Sequence, residues 1–150
     1  MSSFSFWQKW LLGFGLYLIA FGILLSFFSH SILMDYVFNK QIDPTFWGST
    51  GLSENAKLFQ AWVYGVLGAV ISGWGIFISF VAHYAFKAKE RWAWNCIATG
   101  FVVWFAIDTI ISVKFHVGFN VFVNVAFLFF ALLPLLFTRK HFIRKVVSNA

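Results

Sequence analysis

Asp108 is the one carboxylate inside a hydrophobic stretch of this 150-residue chain. On insertion scales a charged side chain at the centre of a membrane helix costs about 2.5 to 3.5 kcal/mol, so such a residue usually has a partner or a function. One hypothesis is functional: Asp108 serves as a proton carrier, a cation ligand or an acid. The other is structural, because a hydrogen-bonded acid could fix the register of two helices.

The spacing around Asp108 predicts its partners. A turn at Val117-Gly118-Phe119 joins two apolar runs, which places Asn120 and Asn124 on the helix that returns past Asp108. At about 1.5 Å per residue, Asn124 lies within roughly one turn of Asp108 in depth. Asn120 and Asn124 share a face at i, i+4, as do Asp108 and Ser112. A polar cluster in the outer half of a membrane bundle is therefore expected.

Three further side chains are candidates for the same pocket. Gln60 and Tyr64, also at i, i+4, lie near the outer end of their apolar run. Trp104 precedes Asp108 by one turn, so its indole N–H could point into the pocket. The complete predicted ligand-binding set is Asp108, Ser112, Asn120, Asn124, Gln60, Tyr64 and Trp104.

Composition indicates the elements that must position these residues. The chain is 61% hydrophobic and 11% charged, whereas a soluble domain has about 25% charged residues. Four apolar runs are each long enough to span a membrane core with roughly 20 residues. We expect an all-α fold: a four-helix transmembrane bundle, forming a single integral membrane domain over residues 1–150, with helices at about 6–28, 56–86, 92–114 and 120–137.

Small residues predict how the helices pack. Gly65, Ala69 and Gly73 repeat at four-residue spacing, and Gly68-x-x-x-Ser72 occupies the adjacent row. In lipid such residues let helix backbones approach closely. We expect the first of these rows to contact at least two other helices. On the first helix the corresponding stripe consists of Leu11, Gly15, Leu18, Gly22 and Ser26.

Residues 29–56 form the longest polar stretch. Ile32, Leu33, Tyr36 and Val37 fall on one side of a short helix and Asp35 and Asn39 on the other, a pattern typical of a helix on the membrane surface. Asp43-Pro44 and Gly48-Ser49-Thr50-Gly51 are predicted turns, and Ser53 a helix N-cap. The segment is either a lid over the bundle or an ordinary connection, and ordinary connections are commoner.

The distribution of cations predicts the topology. Lys40, Lys57 and Lys114 fall on one side of the predicted membrane, and the remaining cations on the other: Lys9, Lys87, Lys89, Arg91, Arg139, Lys140, Arg144 and Lys145. Cytoplasmic loops carry an excess of Lys and Arg. We therefore expect a protein of the cell membrane with both termini cytoplasmic and residues 29–56 outside.

Several function classes lack support. No phosphate-binding loop, nucleophile motif or cysteine pair is present. His30, His116, Asp108 and Glu54 have no metal-binding spacing, so neither a metal nor another cofactor is predicted. The net charge is +6. The cationic residues lie on either side of the apolar runs, which argues against binding of nucleic acid.

Two hypotheses for function remain. The first is a membrane protein without catalytic chemistry, either an accessory subunit or a binder of a lipid-like or other apolar molecule, with the cluster around Asp108 as its polar anchor. The alternative is a small transporter or intramembrane enzyme that uses Asp108 as its titrating group. The predicted partners are membrane lipids, and a homo-oligomer or a larger membrane complex is compatible with the sequence.

Overall fold

The computed structural model describes residues 3–48 and 51–143, and no strand occurs within these two ranges. Four of its helices are long and apolar enough to cross a membrane. They are α1 (Ser3–Phe28), α4 (Glu54–Val81, extended by a π-helical turn over Ala82–Phe86), α5 (Arg91–Lys114) and α6 (Gly118–Thr138). The predicted all-α fold is confirmed, and the predicted bounds agree with these to within three residues.

Shorter helices lie at the two ends of the long ones. Between α1 and α4 the chain forms α2 (Ile32–Met34), a π-helical turn (Asp35–Asn39) and α3 (Lys40–Trp47). After α6 it forms α7 (Lys140–Ile143). Four residues used in the sequence predictions lie outside the described residues. They are Arg144 and Lys145, used for the topology, and Ser49 and Thr50 of the predicted turn.

Helices α1 and α4 form the closest pair, and glycines bring them together. A Cβ atom added to Gly22 would lie 2.7 Å from the backbone nitrogen of Ser72, and one added to Gly75 would lie 2.7 Å from the carbonyl oxygen of Gly15. Ser26 and Ser72 each donate a hydrogen bond to a carbonyl oxygen of the opposite helix. The two backbones therefore pack directly against each other.

The predicted packing row on α4 is wrong for two of its three residues, since only Gly65 faces α1, where an added Cβ would lie 3.8 Å from the Ser26 carbonyl oxygen. Ala69 is exposed, and a Cβ at Gly73 would have no neighbour within 4 Å. The row that faces α1 runs instead through Gly68, Ser72, Gly75 and Ser79. Both rows contain small residues at helical spacing, and contact with α1 selects the one through Gly68 and Gly75.

The outer segment is helical where a turn was predicted. Asp43 and Pro44 lie within α3, which ends at Gly48 with φ +60°. Asn39 is buried and donates hydrogen bonds to the Ser29 carbonyl oxygen (2.9 Å) and to Asp35 Oδ1 (2.6 Å). Asp43 itself accepts a hydrogen bond from Gln60 of α4 (2.6 Å), a tertiary contact that the turn propensity of Asp-Pro does not include.

The α5–α6 connection lies two residues earlier than predicted, at residues 115–117. His116 adopts φ +59°, and its N–H donates to the Val113 carbonyl oxygen (3.1 Å). The Val117 N–H donates to the Ser112 carbonyl oxygen (2.9 Å). This pair of bonds is a Schellman motif, which ends a helix with a left-handed residue. Gly118 begins α6 instead of making the turn.

Contacts between aromatic rings define the two ends of the molecule. At one end the Phe4 ring lies 5.1 Å from that of His141, and the Lys89 ammonium lies 5.1 Å from the Phe4 ring. At the other end the Phe38 ring lies 5.6 Å from that of Phe119. The start of α1, the α4–α5 connection and α7 therefore share one end, and the α2–α3 segment and the α5–α6 connection share the other.

Candidate ligand-binding cavity

A cavity of about 460 Å³ lies among the four long helices and beneath the α2–α3 segment. Its size falls within the range of about 300 to 1,000 Å³ that is usual for small-molecule sites. Apolar and aromatic side chains dominate its lining: Leu18, Phe21, Leu25, Phe38, Ile42, Leu67, Val70, Ile71, Trp74, Gly100, Val103, Trp104, Val123 and Phe127. Four polar residues complete the wall, namely Tyr64, Asp108, Asn120 and Asn124.

The polar residues converge on one oxygen of Asp108. Its Oδ1 atom accepts hydrogen bonds from Asn120 Nδ2 (2.6 Å), Asn124 Nδ2 (3.0 Å) and Ser112 Oγ (3.0 Å). Asn124 is only 2% exposed, and its amide also lies 3.4 Å from Thr109 Oγ1. The predicted depth of both asparagines relative to Asp108 therefore agrees with the structure.

Local geometry places each of these groups. Ser112 lies one turn after Asp108 on α5, so its hydroxyl reaches both Oδ1 and the Asp108 carbonyl oxygen (2.7 Å). Asn120 lies in the first turn of α6, where the Schellman connection returns the chain toward α5, and its amide also donates to Ser112 Oγ (2.8 Å). Ser112 is buried and does not line the cavity, so it orients Asp108 from behind.

The second oxygen of Asp108 has a different environment. Within the described ranges, Oδ2 accepts no hydrogen bond, and it is not among the fully buried polar atoms without a partner. Of the residues that line the cavity, as far as the structure describes them, Asp108 is the only charged one. One oxygen of this cavity-lining residue is thus held by the protein, while the other accepts no hydrogen bond from the described residues.

The other predicted site residues have mixed positions. Tyr64 and Trp104 line the cavity, but the Trp104 indole makes no hydrogen bond to Asp108. Gln60 points elsewhere: its Nε2 atom donates to Asp43 Oδ1 at 2.6 Å. Asp43 on α3 therefore holds the Gln60 side chain away from the cavity lining.

Sequence reasoning missed the roof and the α1 wall of the cavity. Phe38 and Ile42, from the α2–α3 segment, cover its outer end. Their four-residue spacing on a helical segment was a usable signal, but the predicted Asp43-Pro44 turn concealed it. Leu18 of α1 was predicted only as part of a packing stripe, and Phe21 and Leu25 carry no polar group that would have distinguished them from lipid-facing residues.

The cavity opens sideways between α4 and α5. Leu67 and Val70 on α4 and Val103 on α5 line it, yet they are 46%, 64% and 49% exposed. Below the opening the two helices meet through side chains, with the Trp74 ring 5.0 Å from that of Phe101 and 5.7 Å from that of Trp104. Residues this apolar at mid-helix would face the acyl chains of a bilayer.

A second groove, of about 440 Å³, is lined by Trp10, Gly13, Phe14, Tyr17, Ala126, Phe127 and Phe130. Trp10 Nε1 donates to the Phe130 carbonyl oxygen (3.1 Å), the acceptor that Pro134, four residues later, cannot serve. The groove offers no charged group to a ligand. In the part of the chain that the structure describes, no three His, Cys, Asp or Glu side chains lie together as metal ligands.

Comparison with known proteins adds no functional assignment. No protein family model, curated protein or solved structure matches the chain. The fold and cavity define a class only: a small all-helical protein with four potential membrane spans around a mostly apolar cavity.

Proposed function

We propose that this protein binds a lipid-like apolar molecule within the membrane and anchors the polar group of that molecule at Asp108. The observation that carries the proposal is the cavity itself, which combines apolar walls with one carboxylate whose Oδ2 atom accepts no hydrogen bond from the described residues. A site that is mostly apolar with a few convergent polar groups is the usual form of a small-molecule site.

Binding is favoured over catalysis or transport by the groups around Asp108. General acid–base chemistry needs a titrating group within reach of the reacting atom, and usually a second group in a complementary role. In the described part of the lining, Asp108 is accompanied only by amides and the Tyr64 phenol. The protein is therefore a binder or an accessory subunit, whose further partners are membrane lipids and, in the second case, a larger membrane complex.

The bundle lies in the cell membrane with both termini in the cytoplasm. Support comes from the cations, because Lys87, Lys89 and Arg91 lie in or beside the α4–α5 connection, at the same end as Phe4 and α7. The opposite end carries Asp35, Asp43 and Glu54. In this orientation the polar end of the cavity lies in the outer half of the membrane.

Filling the cavity should abolish binding. Gly100 lines the cavity, and an added Cβ there meets no atom within 4 Å, so Gly100→Leu should project into open space without disturbing the fold. We expect the variant to lose binding of 1-pyrenebutanol, a flat apolar alcohol. Binding is measured by energy transfer from tryptophan to pyrene in phosphatidylcholine nanodiscs, since Trp74 and Trp104 both line the cavity.

The matched control is Gly73→Leu, which makes the same change on a membrane helix where an added Cβ also meets nothing within 4 Å. Gly73 does not line the cavity. It should bind the probe as the parent protein does. Equal energy transfer in all three proteins would mean that the probe only partitions into lipid, and the proposed function would be lost.

A further inference from the structure

We propose that the ligand is a lipophilic amine, whose ammonium group pairs with the Oδ2 atom of Asp108 while its apolar body fills the cavity. This inference rests on the proposed function and specifies the class of ligand. Three observations support it together: the hydrogen bonds around Asp108, the charge of the cavity lining and the opening between α4 and α5.

The two oxygens of Asp108 differ in their hydrogen bonds. Asn120 and Asn124 both donate to Oδ1, and the Ser112 hydroxyl, which also lies 2.7 Å from the Asp108 carbonyl oxygen, is 3.0 Å from Oδ1, so the protein itself supplies the partners of that oxygen. A carboxylate is stabilised by hydrogen-bond donors alone, because it has no hydrogen of its own to donate. Oδ2 has no such bond within the described ranges, so the remaining hydrogen-bonding capacity of Asp108 points to a donor supplied by the ligand.

The charge of the cavity lining also favours an amine. A carboxylate inside a membrane is costly unless an opposite charge pairs with it. Among the described residues of the lining there is no Lys, Arg or His that could do so. A ligand with an ammonium group would supply both the opposite charge and the N–H donor.

The cavity lining does not suit the commonest amine of a bilayer, which is a phospholipid amine. A phospholipid amine carries a phosphate close to its ammonium group, and phosphate recognition normally uses Arg, Lys or several backbone N–H groups. The described lining has no basic residue and lies mostly within helices whose N–H groups are already bonded. The site therefore fits an amine without a phosphate.

The aromatic walls and the opening of the cavity suit the apolar part of such a ligand. Phe21, Phe38, Trp74, Trp104 and Phe127 provide broad aromatic walls, which suit a flat apolar body and attract a nearby cation. The opening between α4 and α5 faces the apolar part of the bilayer, where such a molecule would be dissolved. An amphiphile could thus reach Asp108 without crossing the outer loop.

The experiment compares two probes that differ only in the polar group, 1-pyrenebutylamine and 1-pyrenebutanol. Binding is measured in phosphatidylcholine nanodiscs and corrected for partition into empty nanodiscs. For the parent protein we expect the amine to bind about tenfold more tightly than the alcohol, because charge-assisted hydrogen bonds are roughly twice as strong as neutral ones. Asp108→Asn should remove that preference while its Oδ1 atom still accepts the three internal bonds.

The charge-matched control is Glu54→Gln, which removes one negative charge at an exposed side chain paired only with Lys57. It should keep the preference for the amine. The ratio of amine to alcohol affinity in the parent protein tests the inference even if Asp108→Asn does not fold. A ratio near one would overturn it, as would equal ratios in the parent protein and in a folded Asp108→Asn variant.

Two further outcomes separate the explanations. If Gly100→Leu blocks the alcohol but the amine has no advantage, the proposed function stands and the amine inference fails. If Gly100→Leu blocks neither probe, both fail together. Nanodiscs containing phosphatidylethanolamine test the phosphate argument, since displacement of the pyrene amine by that lipid would overturn the choice of a phosphate-free amine.

Discussion

At the residue scale, the two oxygens of Asp108 differ in their partners. Oδ1 joins α5 to α6 through Asn120 and Asn124, whereas Oδ2 accepts no hydrogen bond from the described residues. The structural and the functional hypotheses for this acid are therefore compatible, because neither requires the oxygen that the other uses. Substitutions that differ in whether they keep the Oδ1 acceptor can separate the two roles.

Asp108→Leu should destabilise the protein by about 1 to 3 kcal/mol, since it leaves the buried Asn124 amide without its main acceptor. Asp108→Asn should cost much less, because an amide oxygen can take the place of Oδ1. The measurement is the free energy of unfolding, followed by circular dichroism during titration with sodium dodecyl sulfate. Equal losses in the two variants would show that the hydrogen bonds to Oδ1 contribute nothing measurable.

At the scale of the elements, the molecule combines one tight helix pair with one open pair. Glycines bring α1 and α4 into backbone contact, whereas α4 and α5 meet through the large rings of Trp74, Phe101 and Trp104. Small residues allow close approach, and bulky aromatic residues hold helices apart. The cavity exists because α4 uses its small-residue row against α1 and presents larger residues to α5.

Gly22→Ala should destabilise the bundle by about 1 to 3 kcal/mol, the usual cost of overpacking. Its Cβ would lie 2.7 Å from the Ser72 backbone nitrogen, and a backbone atom cannot move aside as a flexible side chain can. Gly13→Ala, on the same helix, is the control: its Cβ has no neighbour within 4 Å, so a neutral or slightly stabilising effect is expected. Thermal unfolding in detergent compares them, and a neutral Gly22→Ala would contradict the close contact.

At the scale of the whole molecule, the two ends differ in charge and in structure. One end contains the α4–α5 connection, the start of α1 and α7; the other contains the α2–α3 segment that roofs the cavity. If both termini are cytoplasmic, that roof lies at the outer surface. Exposed Ile32, Leu33 and Tyr36 on it are then positioned to rest in the headgroup region.

Single cysteines test this orientation. Ser53 and Ala88 are exposed at opposite ends, so each is replaced by Cys in a protein whose own Cys96 is changed to Ala. A membrane-impermeant maleimide added to intact cells should label position 53 and spare position 88. After the cells are permeabilised both should react. Labelling of position 88 in intact cells would reverse the proposed orientation.

The helices and the centre of the polar cluster follow from the sequence. An apolar run of about 20 residues satisfies its backbone groups in lipid as a helix, and i, i+4 spacing on either side of a short connection fixes depth. The amino-acid sequence therefore predicts that Asp108, Ser112, Asn120 and Asn124 lie together.

Helix rotation and the shape of the cavity depend on how the helices pack together. Two rows of small residues on α4 were nearly equivalent in sequence, and contact with α1 selected the row through Gly68 and Gly75. The Asp43 carboxylate drew Gln60 out of the predicted site, and Phe38 entered it from a segment predicted to contain a turn. Rotation, roof and opening depend on contacts between elements distant in sequence, which periodicity along one helix does not encode.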